Sequence, residues 1–467
     1  MSNLRARCSG AVPLRARLEP WQEELCEDPG RIENMLEEHG SPVNLIQPRP
    51  MERNAAELAA EAAARDVAFR VFFARKANKA LSLVDQANRL GLGVDVASER
   101  ELRQVFDRGV EPTDVIVTAA VKPAGLLKLC LESGAPVAVD NLDELDLVRD
   151  LVSQSGLRAE IAVRLAPEAP SGKVPTRFGM PAGEIAEALA PAGSKSVRVA
   201  GVHFHLDGYD PGARVASIAE SIGLVDLLRD TGHDPHFIDI GGGIPMSYLE
   251  SPEEWEKFWS EHKRALSGER GEITFDGHEI GAVYPYSQSP VRGEWLAQIL
   301  DASLQTETVA DALRARELEL RCEPGRSLLD GCGMTAARVE FRKQRQDATW
   351  LIGLAMNRTQ VRSTSDDFMV DPLLLRPASA GDPTKPIEGY LVGAYCIERE
   401  LLSWRRFSFP EGVAVGDLIA FPNTAGYLMH ILESASHQIP LARNLVLRDG
   451  AAIELDAIDA IDAIDEG

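Results

Sequence analysis

Between residues 68 and 326, short runs of β-branched and aromatic residues alternate eight times with stretches rich in Ala, Leu and Glu. The runs are Phe69–Ala74, Val94–Ala97, Val115–Thr118, Val137–Val139, Glu160–Leu165, Val199–Leu206, Phe237–Ile240 and Leu318–Glu323. No other feature restricts the fold so tightly. Strands separated by helices pair in parallel, and eight is the number that closes into a (β/α)8 barrel. The intervening stretches agree with this: in Ala80–Leu90, Leu81, Val84 and Leu90 fall near one face and Gly91 stops the helix. A doubly wound open sheet is the alternative architecture.

The chain has 467 residues, too many for one core, so a second domain is expected. From about residue 330 the texture changes to short β-rich pieces separated by Pro, Gly and Asp, among them Thr349–Leu354, Gly389–Ala394, Asp417–Phe421 and Asn444–Leu447. These predict an antiparallel β-barrel or sandwich, to which Ser41–Ile46 adds an edge. The expected division is 1–47 as a segment joining the β domain, 48–330 as the barrel, 331–455 as the β domain and 456–467 as a disordered acidic tail. That tail closes in a three-residue repeat over Ala457–Asp465. The stretch 244–317 is long for a barrel connection, carries Trp255, Trp259, Tyr284 and Trp295, and reads as a lid or specificity insertion.

A net charge of −23 disfavours nucleic acid and anionic membrane surfaces as partners. No stretch approaches the roughly 20 apolar residues of a membrane span, and the first residues lack the apolar core of a secretory signal. A soluble, cytoplasmic protein is expected. The six cysteines include no C-x-x-C pair and no histidine at zinc-finger spacing, so neither a disulfide framework nor a structural metal is expected.

In such a barrel the site lies at the carboxyl ends of the strands. The first run ends at Lys76, the second at Asp95 and Ser98, the third near Lys122; the fifth carries Arg164 and the sixth His203 and His205. The seventh opens into Gly241, Gly242 and Gly243, and the eighth finishes Glu323-Pro324-Gly325-Arg326. An amine beside apolar walls loses hydration, so the Lys76 pKa is expected to fall and its nitrogen to attack a carbonyl as a Schiff-base former. Glycines let backbone N–H groups approach an anion, Arg326 suits phosphate, and Glu323 suits a pyridine nitrogen. Together they describe a pyridoxal phosphate site. Each has a plainer reading: a solvated lysine, an ordinary turn, a structural salt bridge at Arg326, a core histidine at His205. In the second domain, Cys396 is either a small buried hydrophobe or a proton donor, and Tyr427 either a packed aromatic or a phosphate ligand.

Seven motifs resemble, in order, those of the fold-type III pyridoxal-phosphate decarboxylases, the ornithine/diaminopimelate/arginine decarboxylase family. Phe73–Asn78 resembles "Y-A-V-K-A-N", Gly91–Leu102 the second-strand motif, Gly201–His205 "G-L-H-F-H", Asp239–Gly243 the glycine turn and Glu323–Arg326 "E-P-G-R". Cys396 with Glu400 is similar to "C-x-x-x-D", and Tyr427 to the tyrosine of "A-G-A-Y". The resemblance implies an alanine racemase-like TIM barrel with a C-terminal β domain. It implies pyridoxal 5'-phosphate held as an aldimine by Lys76, His205 stacked on its ring and Glu323 at its nitrogen. Gly241, Gly242, Gly243, Gly325, Arg326 and Tyr427 would hold the phosphate, with Asp95 and Arg164 as further cofactor contacts. Cys396, as general acid, and Glu400 would reach the other subunit's site in a homodimer. The implied reaction is decarboxylation of an amino acid or derivative through an external aldimine and a quinonoid, giving an amine and CO2.

Three departures stand out. Leu206-Asp207-Gly208 lacks the family's phosphate-binding serine, Glu400 replaces an aspartate, and Ile397 occupies a position that is commonly acidic, which disfavours a substrate such as ornithine. The competing readings are an amino-acid racemase or epimerase of the same fold, opposed by Glu323, a non-catalytic cofactor-binding barrel, and a metal-assisted enzyme using His203, His205 and Asp207.

Overall fold

The computed structural model describes residues 4–168, 174–190, 196–448 and 452–460. Its larger part is a closed barrel of eight parallel strands: Phe69–Ala74, Gly93–Val96, Val115–Val117, Val137–Val139, Ala159–Arg164, Val197–His203, Phe237–Asp239 and Glu319–Cys322. The last pairs with both the seventh and the first, which closes the ring.

Alternation along the strands sorts the side chains. Phe72, Ile116, Ala138, Ala162, Ala200 and Phe237 fill the interior, and the Arg321 guanidinium caps them 3.6 Å over the Phe237 ring. Their neighbours Phe73, Val94, Val117 and Val163 pack outward against the helices. Burying such a side chain contributes roughly 1.5–3 kcal/mol, so the open-sheet alternative would forfeit the interior cluster. Ser98 Oγ accepts from Glu101 N at 3.1 Å and caps the helix Glu99–Asp107, which places this serine in the scaffold.

The β domain is built on a strand absent from the sequence-based expectation, Gly333–Gln344. It pairs antiparallel with Val43–Ile46, Leu418–Pro422 and Trp350–Leu354. Its first half is buried and its second half exposed, so no single polar-apolar alternation announces it. Val43–Ile46 is an interior strand, not the expected edge, because Arg443–Leu447 pairs in parallel on its other side. The sheet is mostly antiparallel, with a second parallel pair between Trp350–Leu354 and Ile387–Val392.

Two further expectations are corrected. The 244–317 stretch is not one insertion: its helix Arg292–Leu300 packs on Pro50–Ala63 in the barrel's helical layer. Its earlier part joins the β domain, where Phe275 N bonds Trp404 O and Arg406 N bonds Ile273 O, both at 2.9 Å. The 456–467 tail is docked over its described part: Asp456, Ile458 and Asp459 are all buried, because the two carboxylates meet backbone N–H groups and Ile458 packs in the barrel's core cluster. Residues 461–467 lie outside the described residues.

Candidate active site

The first strand ends in a short turn, Arg75–Ala77. Arg75 points into the wall, bonding Gln104 Oε1 at 2.5 Å, while Lys76 faces the barrel mouth with 36% of its side chain exposed. Lys76 Nζ donates to Asp95 Oδ2 at 2.7 Å and lies 4.0 Å from Glu323 Oε2. Burial pulls the lysine pKa down, but Asp95 and Glu323 outweigh it and hold the ammonium above its ordinary value. The expectation of a lowered pKa is therefore reversed: the sequence reveals the apolar strand but not the carboxylates that other strands bring to the same nitrogen.

Asp95 is held in turn by the Thr118 hydroxyl, which donates to Oδ1. Glu323 is 2% exposed and its Oε1 lies 3.1 Å from His203 Nε2. Burial raises the Glu323 pKa, with Lys76 and Arg164 pulling it back. Burial and the Arg164 charge hold His203 well below the usual imidazole range, so this ring is neutral. Asp239 stands beside it, its pKa raised by burial and by Glu323.

His205 is also neutral, depressed by burial and then by Lys76. Its Nδ1 accepts from Gly242 N at 3.1 Å, so the ring proton sits on Nε2. Gly241 N donates to Asp239 Oδ1 at 2.9 Å. Thus the first two amides of the glycine turn are committed within the chain. The glycines themselves are required: at Gly241, with φ +64, a Cβ would lie 2.7 Å from His205 Nδ1, and at Gly242 2.9 Å from Glu323 O.

Arg214, which the motif reading missed, ties the glycine turn to the loop that lacks the serine. Its Nη2 donates to Leu206 O and Gly208 O at 3.1 Å and to Gly242 O at 3.0 Å. A signal existed: Arg214 stands at i, i+4, i+8 spacing with Ile218 and Ile222 on the buried face of Pro211–Asp230.

Arg326 is buried and has no ion pair among the described residues. It donates to Ser363 Oγ at 3.1 Å and Tyr248 Oη at 3.4 Å, and lies 4.1 Å over the Tyr284 ring and 5.4 Å from that of Tyr427. The salt-bridge reading of Arg326 has no partner to support it, and Tyr248 and Tyr284 come from the 244–317 stretch. Tyr427, with φ +74, bonds Ala77 O through its N–H at 2.8 Å. Its hydroxyl lies where a side chain at Gly325 would stand, 2.6 Å from a Cβ there.

Arg164 bonds Asp140 Oδ1 at 3.2 Å and lies 4.2 Å over the Phe178 ring, its Nε without a hydrogen-bond partner. Lys122 is spent on Glu144 at 3.0 Å and Ala119 O at 2.7 Å. Cys396 is exposed, whereas Glu400 turns inward, 4% exposed, and accepts from Arg358 N at 2.7 Å. Among the described residues, the potential metal ligands that converge are His203, Asp239 and Glu323, within 4.8 Å of one another; Asp207 of the expected set is exposed.

This donor set fits pyridoxal phosphate: a mouth-facing amine, a buried carboxyl beside it, a neutral imidazole and a buried guanidinium with no ion pair among the described residues. Comparison with known proteins gives the same group. Residues 52–279 match the family model described as pyridoxal-dependent decarboxylase, pyridoxal binding domain. Uncharacterized protein y4yA of Sinorhizobium fredii (strain NBRC 101917 / NGR234) is 32% identical over 417 residues, spanning 88% of this chain and 89% of that one. Diaminopimelate decarboxylase of Pseudomonas aeruginosa is 24% identical over 369 residues, 76% of each chain. Among solved structures, Helicobacter pylori diaminopimelate decarboxylase complexed with L-lysine superposes with a TM-score of 0.65 at 19% identity, over 93% of this chain and 99% of that one. The Paramecium bursaria Chlorella virus arginine decarboxylase bound to agmatine does so at 0.63 and 18% identity, over 89% and 99%.

Proposed function

The chain belongs to the pyridoxal-dependent decarboxylases, and from that premise we propose that it removes CO2 from an amino acid that lacks a distal ammonium group, with Lys76 as the cofactor-holding lysine. Pyridoxal phosphate, when bound, supplies an aldehyde for an amine to join and a ring that accepts the electrons left by departing CO2. The observation that carries the reading is the convergence of Lys76, Asp95 and Glu323 on one point of the barrel mouth.

Lys76 enters as an ammonium, so its proton must leave before the nitrogen can attack. Asp95 Oδ2, at 2.7 Å, is the acceptor in reach. Glu323 would face the ring nitrogen; burial makes it the stronger base, and a hydrogen bond with His203 fixes its orientation. His205, neutral and oriented by Gly242 N–H, would offer a flat apolar face to the ring without competing for its proton. Arg326, Tyr427, Gly325 and Gly243 would hold the phosphate. Gly241 and Gly242 would act through shape, since their amides already serve Asp239 and His205. Arg214 would hold the loop that lacks the serine against the glycine turn.

The proton that replaces CO2 on the substrate's α-carbon would come from the Cys396 thiol. Its exposure on its own chain, on a loop held by the Tyr395 hydroxyl to Ser434 O at 2.7 Å, suits delivery to a second subunit. Glu400 would support that loop from within by holding Arg358 N. The related structures hold L-lysine and agmatine, whose distal groups are cationic. Ile397, 44% exposed beside Cys396, offers no charge to such a group. The test is a screen of amino acids for CO2 release with chiral analysis of recovered substrate. Release of CO2 from apolar, neutral or acidic amino acids supports the reading; preference for ornithine or lysine contradicts the substrate class, and racemisation without CO2 contradicts the reaction.

A further inference from the structure

Asp456, directly before the Ala-Ile-Asp repeat, reaches the segment that carries Lys76. The helix Leu81–Arg89 follows that segment and has no side-chain cap of its own, because Ala80 stands at the capping position. Its first amides are met from far along the chain: Leu81 N donates to Asp456 Oδ1 at 2.9 Å and Ser82 N to Asp456 Oδ2 at 3.0 Å. Both amide-bearing residues are buried, as is Asp456 at 2% exposure, so water is a poor substitute.

The same stretch is fastened to the β domain. Asp456 N bonds Asn444 O at 2.7 Å, and Asp459 accepts from Asn444 N at 2.6 Å and Asn444 Nδ2 at 3.0 Å. Ile458, between the two aspartates, is buried in the barrel's core cluster. The three-residue period of the repeat thus matches the spacing of two seats. The lysine segment lies between these fastenings: Ala77 O accepts from Tyr427 N at 2.8 Å, Asn78 Nδ2 bonds Ala425 O at 3.0 Å, and Lys79 Nζ bonds Glu433 at 2.7 Å.

We propose that Asp456 is a positioning residue for Lys76, acting through the start of the helix Leu81–Arg89, with Asp459 securing it to the β domain. The inference rests on the assignment of Lys76 as the cofactor lysine. The experiment uses the full-length holoenzyme and the variants Asp456→Ala, Asp456→Asn and Asp459→Asn. Pyridoxal phosphate affinity, kcat and KM are measured at a temperature where the circular dichroism of each variant matches the parent.

Loss of one helix cap corresponds to about a 5- to 10-fold effect. Asp456→Ala is expected to weaken cofactor affinity and lower kcat by that order with KM unchanged, and to speed hydrogen exchange at Leu81 and Ser82. Asp456→Asn, which keeps an oxygen for one amide, is expected between the two and carries the test alone if the alanine variant does not fold. Parental affinity and kcat in a variant that merely melts earlier would overturn the proposal. A parent that binds no pyridoxal phosphate would sink the Lys76 assignment instead, and the amide exchange at Leu81 and Ser82 would then decide whether the tail holds this helix at all.

Discussion

Lys76 Nζ stands 4.0 Å from Glu323 Oε2, the two residues leaving the first and eighth barrel strands at the point where the ring closes. The nitrogen bonds Asp95 at 2.7 Å, so the amine has two counter-charges and is held as an ammonium. In the proposed reaction this ammonium would first give up a proton, and Asp95 Oδ2 is the acceptor within hydrogen-bond reach.

Asp95→Asn removes the nearer counter-charge and leaves Glu323 as the remaining carboxylate to oppose burial. The Lys76 ammonium is expected to lose its proton at lower pH than in the parent, seen as a downward shift in the pH dependence of aldehyde capture by the apoprotein. An unshifted profile would show that Asp95 does not govern this amine.

Glu323→Gln keeps the size of the side chain and removes its charge. Loss of one placed electrostatic group in a buried site costs roughly 100- to 1000-fold in kcat, with the cofactor still bound by absorbance. His203→Leu takes away the Nε2 contact with Glu323 Oε1 and is expected to lower kcat in the same direction by a smaller factor, read in the same assay.

Arg326→Met removes the buried guanidinium that bonds Ser363 and Tyr248. A charge-assisted hydrogen bond corresponds to about 10- to 100-fold in affinity, so equilibrium dialysis is expected to give a weaker pyridoxal phosphate complex by that order. Affinity equal to the parent would remove Arg326 from the phosphate site.

His430 is half-buried and its pKa is lowered to about 3, by desolvation first and by Lys79 second. Its Nδ1 accepts from Lys79 N at 3.3 Å and its Nε2 bonds Asn444 Oδ1 at 2.9 Å. An unfolded histidine titrates near 6.5. The folded state binds the proton less well, so this contribution to stability is complete above about pH 6.5 and is lost as pH falls toward 3. Denaturant titrations across that window are expected to show a falling midpoint that His430→Gln flattens.

Much of the barrel was legible because most of its strand residues are buried, so that runs such as Val115–Val117 and Val137–Val139 read as uninterrupted apolar segments. Phe69–Ala74 and Val137–Val139 fall where the pattern places them. The strand Gly333–Gln344 was not legible, since its surroundings change halfway along. Lys76, His205, the glycine turn and Glu323 are proposed from their places at strand ends, and the structure brings them to one end of the barrel. What escaped depends on distant partners: Asp95 and Glu323 reversing the Lys76 shift, the tyrosines around Arg326, Arg214 behind the glycine turn, and Asp456 under the helix Leu81–Arg89. A stretch with the composition of a solvated tail conceals two buried aspartates, Asp456 before the repeat and Asp459 within it, because burial there is decided by the amides they meet and not by their neighbours in sequence.

Reduction of the pyridoxal phosphate-loaded protein with borohydride, followed by peptide mass mapping, tests the central claim most directly. The pyridoxyl label is expected on the peptide containing Lys76 and to vanish in Lys76→Ala along with the visible absorbance band. Label on another lysine, or a parent protein that takes up no label, would contradict it.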